Sequence, residues 1–180
     1  GEYSQLKDLT LIMDYGIYTM NRAAEKMTAK MVSGFRHRLT LPVELNSREL
    51  EDMGCRGGEL IVYGRLPMMV TAQCMKKTVD SCKKKPELLF LRDRMGKEFP
   101  VKNHCRFCYN TIYNTSPLSL LKDRHRIDGL GPESLRFNFT TENREETRAV
   151  IRAFSGSFLE GRETELPGEF TRGHFKRGIE

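Results

Sequence analysis

The chain has 180 residues, of which 38% are hydrophobic and 30% are charged, and its formal net charge is +6. This length predicts one domain with a core of its own. There is no run of about 18 apolar residues, and the opening GEYSQLKDLT lacks the pattern of a secretory signal, so we expect a cytoplasmic protein without a membrane span. The basic balance would suit RNA as a partner, and it would equally suit a solvated basic surface.

Predicted strands and helices alternate at the start of the chain. The segment LIMDYGIY (residues 11–18) is an apolar run of strand length. Asn21 is a candidate N-cap for a helix that carries Met27 and Met31 at four-residue spacing. The segment HRLTLPVEL predicts a second strand, which ends at Glu44. Alternation of this kind implies helices packed on a parallel sheet.

The next helix start is the clearest local signal. Asn46 and Glu49 form an N-x-x-E variant of the capping box. Leu45 and Leu50 flank it as a hydrophobic staple. The helix must be short, because the segment ELIVY (residues 59–63) predicts a third strand soon after it.

Regular alternation stops at residues 64–114, a segment that we call the Cys-rich insertion. It contains four of the five cysteines and a run of three lysines. Within it, the stretch LLFLRDRMGKEFPV predicts a β-hairpin that turns at Met95 and Gly96.

Alternation resumes after the insertion. Ser116 followed by Pro117 is typical of a helix N-terminus, and this helix would bury Leu118, Leu120 and Leu121. The segment LRFNFT alternates apolar and polar residues as a half-buried strand does. The last predicted helix places five residues on one face: Thr147, Val150, Ile151, Phe154 and Phe158.

The whole pattern predicts an α/β fold of the partial (β/α) barrel type. A complete eight-unit barrel needs about 250 residues. Without the insertion, this chain has room for about four strand–helix units. The chain begins with glycine rather than methionine, so we expect it to be the C-terminal half of a barrel domain whose N-terminal half is its missing partner. Such a fragment would expose strand edges and self-associate.

The cysteines of the insertion follow the pattern C-x7-C-x22-C-x2-C, made by Cys74, Cys82, Cys105 and Cys108. Four thiolates can hold a tetrahedral zinc ion or an iron–sulfur cluster. The seven-residue spacing is long for structural zinc, so the pattern favours a cluster, whose charge the nearby lysines would balance. Unliganded surface thiols and a redox pair at the C-x-x-C are the alternatives. Cys55 is interpreted as a buried small hydrophobe.

Several segments together resemble one known family. They are TMNRAAE, LPVELNSREL, ELIVYGRLPMMVTAQC, FLRDRMGKEFPV, NTIYNTSPLSLL, LRFNFTTEN and TRGHFKRGIE. In order and spacing they resemble the C-terminal half of the catalytic domain of peptidase family U-thirty-two, the collagenase-like proteases of bacteria. The resemblance covers essentially the whole chain and implies a (β/α)8 barrel.

The family label implies a hydrolase that acts on collagen-like or other peptides. The sequence contains neither a G-x-S-x-G elbow nor an H-E-x-x-H zinc helix. Proteins similar to this family hydroxylate RNA bases or quinone precursors without molecular oxygen, and they use a four-iron–four-sulfur cluster held by four cysteines. The resemblance therefore implies Cys74, Cys82, Cys105 and Cys108 as cluster ligands.

The resemblance also implies that Glu44, Tyr63 and Arg65 lie near C-terminal strand ends, where barrels of this type place their sites. The candidate catalytic residues are Glu44, Arg65 and Asp93, with ordinary ion pairing as the alternative. The candidate substrate-binding residues are Tyr63, Lys83, Lys84, Arg172 and His174, of which the last two lie in a Gly-rich basic segment suited to a phosphate backbone.

Three functions remain open from the sequence. The favoured one is an iron–sulfur enzyme that hydroxylates RNA bases or a similar aromatic substrate. The second is a metal-associated peptidase, as the family label states. The third is a non-catalytic RNA-binding module whose four cysteines hold a structural metal such as zinc.

Overall fold

The computed structural model describes residues 9–82 and 84–177, which form a mixed α/β fold with several sheets. Within those ranges no helix is long and apolar enough to cross a membrane. The strands are β1 (Thr10–Met13), β2 (Arg36–Leu39), β3 (Glu59–Gly64), β4 (Pro67–Thr71), β5 (Leu88–Arg92), β6 (Glu98–His104), β7 (Tyr109–Tyr113), β8 (Leu118–Ser119) and β9 (Ser134–Asn138). The helices are α1 (Arg22–Met31), α2 (Ser47–Met53), α3 (Met75–Val79), α4 (Arg124–Leu130) and α5 (Arg144–Phe158).

Strands β1, β2, β3 and β9 follow one another in space and run parallel. β1 pairs with β2 in parallel register. Just beyond β2, the Leu41 N–H donates to the Glu59 carbonyl at 2.7 Å and joins β2 to β3. β3 then pairs in parallel with β9, with Leu60 opposite Leu135. The predicted alternation of strands and helices is confirmed to this extent, and the described residues form no closed barrel.

The core lies between β3 and the helices around it. Ile61 and Val62 of β3 are at most 2% exposed, as are Leu50 of α2, Ile127 of α4 and Phe154 of α5. All five belong to one cluster of buried residues. Burying side chains of this size stabilises the fold by about 1.5–3 kcal/mol each. The cluster therefore fixes β3, whose last residues carry part of the candidate site.

Side-chain caps set the starts of the helices. The predicted capping box is confirmed: Asn46 Oδ1 accepts from the Glu49 N–H at 3.1 Å, and the Glu49 carboxylate accepts from the Asn46 N–H at 2.7 Å. The predicted cap of α1 is also confirmed, since Asn21 Oδ1 accepts from the Ala24 N–H at 2.9 Å. α5 begins with a second complete capping box, in which Asn143 pairs reciprocally with the residue three positions later.

The helix predicted at Ser116 and Pro117 is wrong. Leu118 and Ser119 instead form β8, which pairs antiparallel with the end of β3 and places Ser119 opposite Tyr63. A single 3₁₀ turn, Leu121–Asp123, and then α4 follow. The backbone at the end of β3 pairs with Leu118 and Ser119, and this pairing outweighs the local preference of Ser116 and Pro117 for a helix start.

Two predictions near the N-terminus are also wrong in part. The strand predicted over residues 11–18 ends at Met13, because the Asp14 carboxylate accepts from the Tyr15 N–H and starts a 3₁₀ turn. Met27 and Met31 of α1 do not form a buried face among the described residues, since they are 67% and 77% exposed.

The Cys-rich insertion folds as a separate antiparallel sheet in the order β4–β7–β6–β5. The predicted hairpin is confirmed between β5 and β6, where Gly96 has a φ of 77° and donates its N–H to the Asp93 carbonyl. A second hairpin joins β6 to β7 through residues 105–108. Consecutive hairpin turns lie at opposite ends of a sheet, so the two turns are separated by the length of β6.

Gly64 is the position at which a small change should disturb this fold most. Its φ is +139°, and an added Cβ would lie 2.3 Å from the backbone oxygen of Asn138 in β9. We expect Gly64→Ala to lower the free energy of unfolding by more than about 3 kcal/mol, measured by urea denaturation.

Gly96→Ala is the matched control, because Gly96 has a φ of +77° but nothing within 4 Å of the added Cβ. Its cost should be limited to backbone strain of about 1–2 kcal/mol. Equal losses in the two variants would contradict the close approach of β3 to β9.

Candidate functional site

Three of the cysteines lie at one end of the insertion sheet. Cys74 precedes α3 and follows the end of β4 by three residues, while Cys105 and Cys108 lie in the turn between β6 and β7. β4 pairs antiparallel with β7, and Thr71 lies opposite Asn110. The end of β4 and the β6–β7 turn therefore share one edge of the sheet, which we call the cysteine edge.

Cys82 reaches the same edge through the segment before β5. Leu88, at the start of β5, lies opposite Lys102 near the end of β6, so β5 begins at the cysteine edge. Lys76 of α3 and Glu87 form an ion pair that joins the two segments flanking Cys82. The side chain of Cys82 is exposed.

Cys105 lies within electrostatic range of the other three thiols of the insertion. Partial burial raises the pKa of Cys105 above its ordinary value, and the charges of Cys74, Cys82 and Cys108 raise it further. Interactions of this kind fall with distance, so these three thiols are close to the fourth. Cys55 is not among the groups that act on Cys105.

Cys55 lies apart, in the core of the parallel sheet. It is 2% exposed, and its Sγ lies 3.2 Å from the Leu50 carbonyl oxygen, to which it donates. Burial raises the pKa of this thiol to about 11. It therefore behaves as a small core side chain.

The geometry and the donor chemistry of the cysteine edge bear differently on metal binding. In the described part of the chain, no group of three or more His, Cys, Asp or Glu side chains has the geometry to hold a metal ion. The donor set itself is four thiols on three segments, of which Cys82 and Cys108 are exposed. Sulfur donors of this number fit zinc or an iron–sulfur cluster, provided that the exposed segments close over the metal.

A pocket lies where the parallel sheet meets the insertion sheet. Its volume is about 370 Å³, and Tyr63 and Arg65 at the end of β3 line it. Phe90 of β5 and Pro100 of β6 form part of its wall, and Glu142 between β9 and α5 faces it. A cavity of this size has room for a small ligand.

Glu142 and Tyr63 form a fixed polar pair in this pocket. Glu142 Oε2 accepts from the backbone N–H groups of Thr140 and Thr141 at 2.7 and 3.0 Å, and Tyr63 donates to Glu142 Oε1 at 3.4 Å. Burial, and then the Glu142 charge, raise the pKa of Tyr63 to about 12. Tyr63 therefore keeps its hydroxyl proton at neutral pH and remains a hydrogen-bond donor.

Arg65 places a cation on the same pocket. Its guanidinium donates to the backbone carbonyls of Asn114, at 2.9 Å, and Thr115. None of the ion pairs found among the described residues gives it a carboxylate partner. The pocket therefore has a positive wall at Arg65 and a negative wall at Glu142.

Two buried oxygen atoms lie beyond the ends of the neighbouring parallel strands. Glu44 Oε2 and Thr140 Oγ1 have no hydrogen-bond partner within the described ranges. The Glu44 charge contributes to the raised pKa of Tyr15, after burial and the Asp14 charge. Buried polar atoms without partners are costly, and such atoms at strand ends are candidates for ligand contact.

The other predicted site residues are placed elsewhere. Asp93 lies in the β5–β6 turn, at the opposite end of the sheet from the cysteine edge, and its carboxylate accepts from two backbone N–H groups at 2.8 Å. Arg172 pairs with Asp123 at 3.1 Å, and His174 lies in the turn that follows. Lys84 is exposed with a φ of 52°. Lys83 is outside the described residues.

Sequence reasoning missed Glu142. Its signal was present in the segment FTTEN, because a polar run directly after a predicted strand is where parallel sheets carry functional side chains. The capping box of Asn143 and Glu146 follows immediately, so the segment that contains Glu142 is read as the start of a helix and not as part of a site.

Comparison of the chain with models of protein families, with curated proteins and with solved structures finds no match.

The two classes of cysteine should differ sharply in reactivity. With the metal-free protein at pH 8, we expect iodoacetamide to modify the exposed Cys82 and Cys108 and to leave Cys55 unmodified, as read by peptide mass spectrometry. The reason is that Cys55 is buried and its pKa is about 11, so little thiolate is present and the reagent cannot reach it.

The same reaction in guanidinium chloride is the control, and there all the cysteines should react. Modification of Cys55 in the folded protein at the rate of Cys82 would contradict the placement of Cys55 in the core.

Proposed function

We propose that this chain is part of an iron–sulfur-dependent enzyme that hydroxylates a planar aromatic substrate such as an RNA base, and that it belongs to the collagenase-like family U-thirty-two. The observation that carries the proposal is the strand register that brings Cys74 and the Cys105–Cys108 turn to one edge of the insertion sheet, with Cys82 within electrostatic range of Cys105. A chain with this donor set, and with neither a G-x-S-x-G elbow nor an H-E-x-x-H helix, is better suited to redox chemistry than to peptide hydrolysis.

The arrangement of the parallel strands supports a partial barrel. Four parallel strands in spatial order β1–β2–β3–β9, with α1, α2 and α4 in their connections and α5 after the last, are what half of a (β/α)8 barrel would contain. In such barrels the active site lies beyond the C-terminal strand ends. Glu44, Tyr63, Arg65 and Glu142 all follow or end strands of this set.

In this proposal the four cysteines of the insertion hold a four-iron–four-sulfur cluster. When bound, the cluster supplies one-electron chemistry. The chain would hold it by closing the exposed segments around Cys82 and Cys108 on the more enclosed Cys74 and Cys105. Arg106, next to Cys105 in the chain, would offset part of the negative charge of the thiolates.

The pocket beside Tyr63 would receive the substrate. Phe90 and Phe170 provide aromatic surface against which a base can stack. Arg65 would donate to a ring carbonyl or ring nitrogen, and Glu142 would accept from a ring or amino N–H. The pocket therefore favours a planar ligand whose edge carries an acceptor beside a donor, as nucleobases do.

Strand β6 connects the pocket with the cysteine edge. Pro100 lines the pocket, and Cys105 lies five residues further along, just past the end of β6. At about 3.3 Å per residue this separation is about 16 Å. The sheet thus provides a rigid connection between the two places.

Metal content tests the proposal. Protein purified without oxygen should contain iron and sulfide and absorb near 400 nm, with a brown colour. Cys74→Ala should lose the iron and the absorption, because the cluster loses one of its four ligands.

Cys55→Ala is the matched control, since it also removes one thiol but lies outside the cysteine edge. It should retain iron at the wild-type ratio. Zinc instead of iron would support the structural-metal alternative, and iron loss in both variants would contradict the proposed ligand set.

A further inference from the structure

A pair of asparagines lies inside the insertion sheet, next to the cysteine edge. Asn103 of β6 and Asn110 of β7 lie directly opposite each other, and they are 3% and 0% exposed. Asn103 Nδ2 donates to Asn110 Oδ1 at 2.6 Å. Only one residue, His104, separates Asn103 from Cys105, and only Tyr109 separates Asn110 from Cys108.

Asn110 also holds the segment that carries Cys74. Its Nδ2 donates to the carbonyl of Gln73 at 2.7 Å and to that of Thr71 at 3.4 Å. Gln73 directly precedes Cys74, so this side chain joins the β6–β7 turn to the end of β4. The same carboxamide thus contacts two of the three segments that bring the thiols together.

Asn103 makes the connection to the third segment through its backbone. Its N–H donates to the carbonyl of Glu87 at 3.4 Å. The Glu87 side chain pairs with Lys76 of α3, two residues after Cys74. The two asparagines therefore lie at the centre of a polar network that reaches every cysteine-bearing segment.

The cost of burying the two asparagine amides indicates that the pair does more than fill the interior of the sheet. Burying an amide is unfavourable unless its hydrogen bonds are made, and Asn103 Oδ1 has no partner within the described ranges. Threonine or valine would pack a sheet interior without that cost. A buried asparagine pair instead specifies how β6 and β7 align, because any slip in their register breaks the hydrogen bond between the two amides.

We propose that Asn110, supported by Asn103, is a positioning residue that holds the backbone of Cys74 against the Cys105–Cys108 turn and sets the spacing of the thiols before any metal binds. The purpose of this spacing rests on the proposed metal centre. The positioning itself is a property of the metal-free chain.

Disulfide capture in the metal-free protein tests the positioning directly. The reduced protein is oxidised slowly in dilute solution with oxidised glutathione, which accepts the two electrons of each disulfide, and the disulfides are mapped by mass spectrometry over time. In the wild type, Cys74 should couple to Cys105 or Cys108. In Asn110→Ala this coupling across segments should slow by about tenfold, because the loss of the amide frees the end of β4. Coupling of Cys105 to Cys108 within the turn should keep its rate.

Thr40→Ala is the matched control. Thr40 is also buried, at 1% exposed, and its hydroxyl donates to Glu59 at 2.9 Å, but it lies beside the parallel strands. It should lose a comparable hydrogen bond without changing either rate of coupling. The positioning role is overturned if Cys74 forms its disulfide in Asn110→Ala at the wild-type rate. It is also overturned if Thr40→Ala slows that disulfide as much as Asn110→Ala does.

Asn103→Ala is the second variant, for the case in which Asn110→Ala does not fold. It removes the bond between the two amides and leaves Asn110 in contact with Gln73, so coupling across segments should slow by a smaller factor, about threefold. An unchanged rate in this folded variant would also overturn the proposal.

Iron uptake separates this proposal from the proposed function. If the wild type couples Cys74 across segments as expected but takes up no iron, the iron–sulfur function fails and the positioning role stands. If both hold, Asn110→Ala should contain less iron than Thr40→Ala, with a weaker absorption near 400 nm.

Discussion

The absence of a side chain at Gly64 is the constraint on which the arrangement of this molecule depends. At this residue β3 approaches the backbone of β9 more closely than a Cβ would permit, and its φ of +139° is open mainly to glycine. β3 is paired on both sides here, with β8 and with β9. The chain then leaves the parallel sheet through Arg65 and enters the insertion sheet. Tyr63, Arg65 and Glu142 line one pocket as a result.

In the proposed function, the parallel sheet and the insertion sheet have different roles. The parallel sheet supplies a buried core and strand ends with polar side chains, which suits substrate binding. The insertion sheet supplies thiols at its far edge, on segments that are more exposed than the core. Strand β6 belongs to both regions, since it lines the pocket at Pro100 and ends beside Cys105.

The sequence predicted the features that depend on near neighbours along the chain. The capping box at Asn46, the buried strand at residues 59–63 and the hairpin at Gly96 each follow from a short pattern. It failed at Leu118, where pairing with β3 decides the structure. The four cysteines stood out by residue type, and their role as ligands stays a prediction. Asn110 was missed because its partner lies far away in sequence, and Glu142 was missed because its segment reads as the start of a helix.

In the proposed function, one centre held by the four cysteines of the insertion carries the chemistry of this protein. X-ray absorption at the iron edge, on wild-type protein prepared without oxygen, tests it most directly because it reports the atoms bound to the metal. We expect iron surrounded by sulfur alone, with a second shell of neighbouring iron atoms. Iron bound by oxygen and nitrogen without iron neighbours would contradict it.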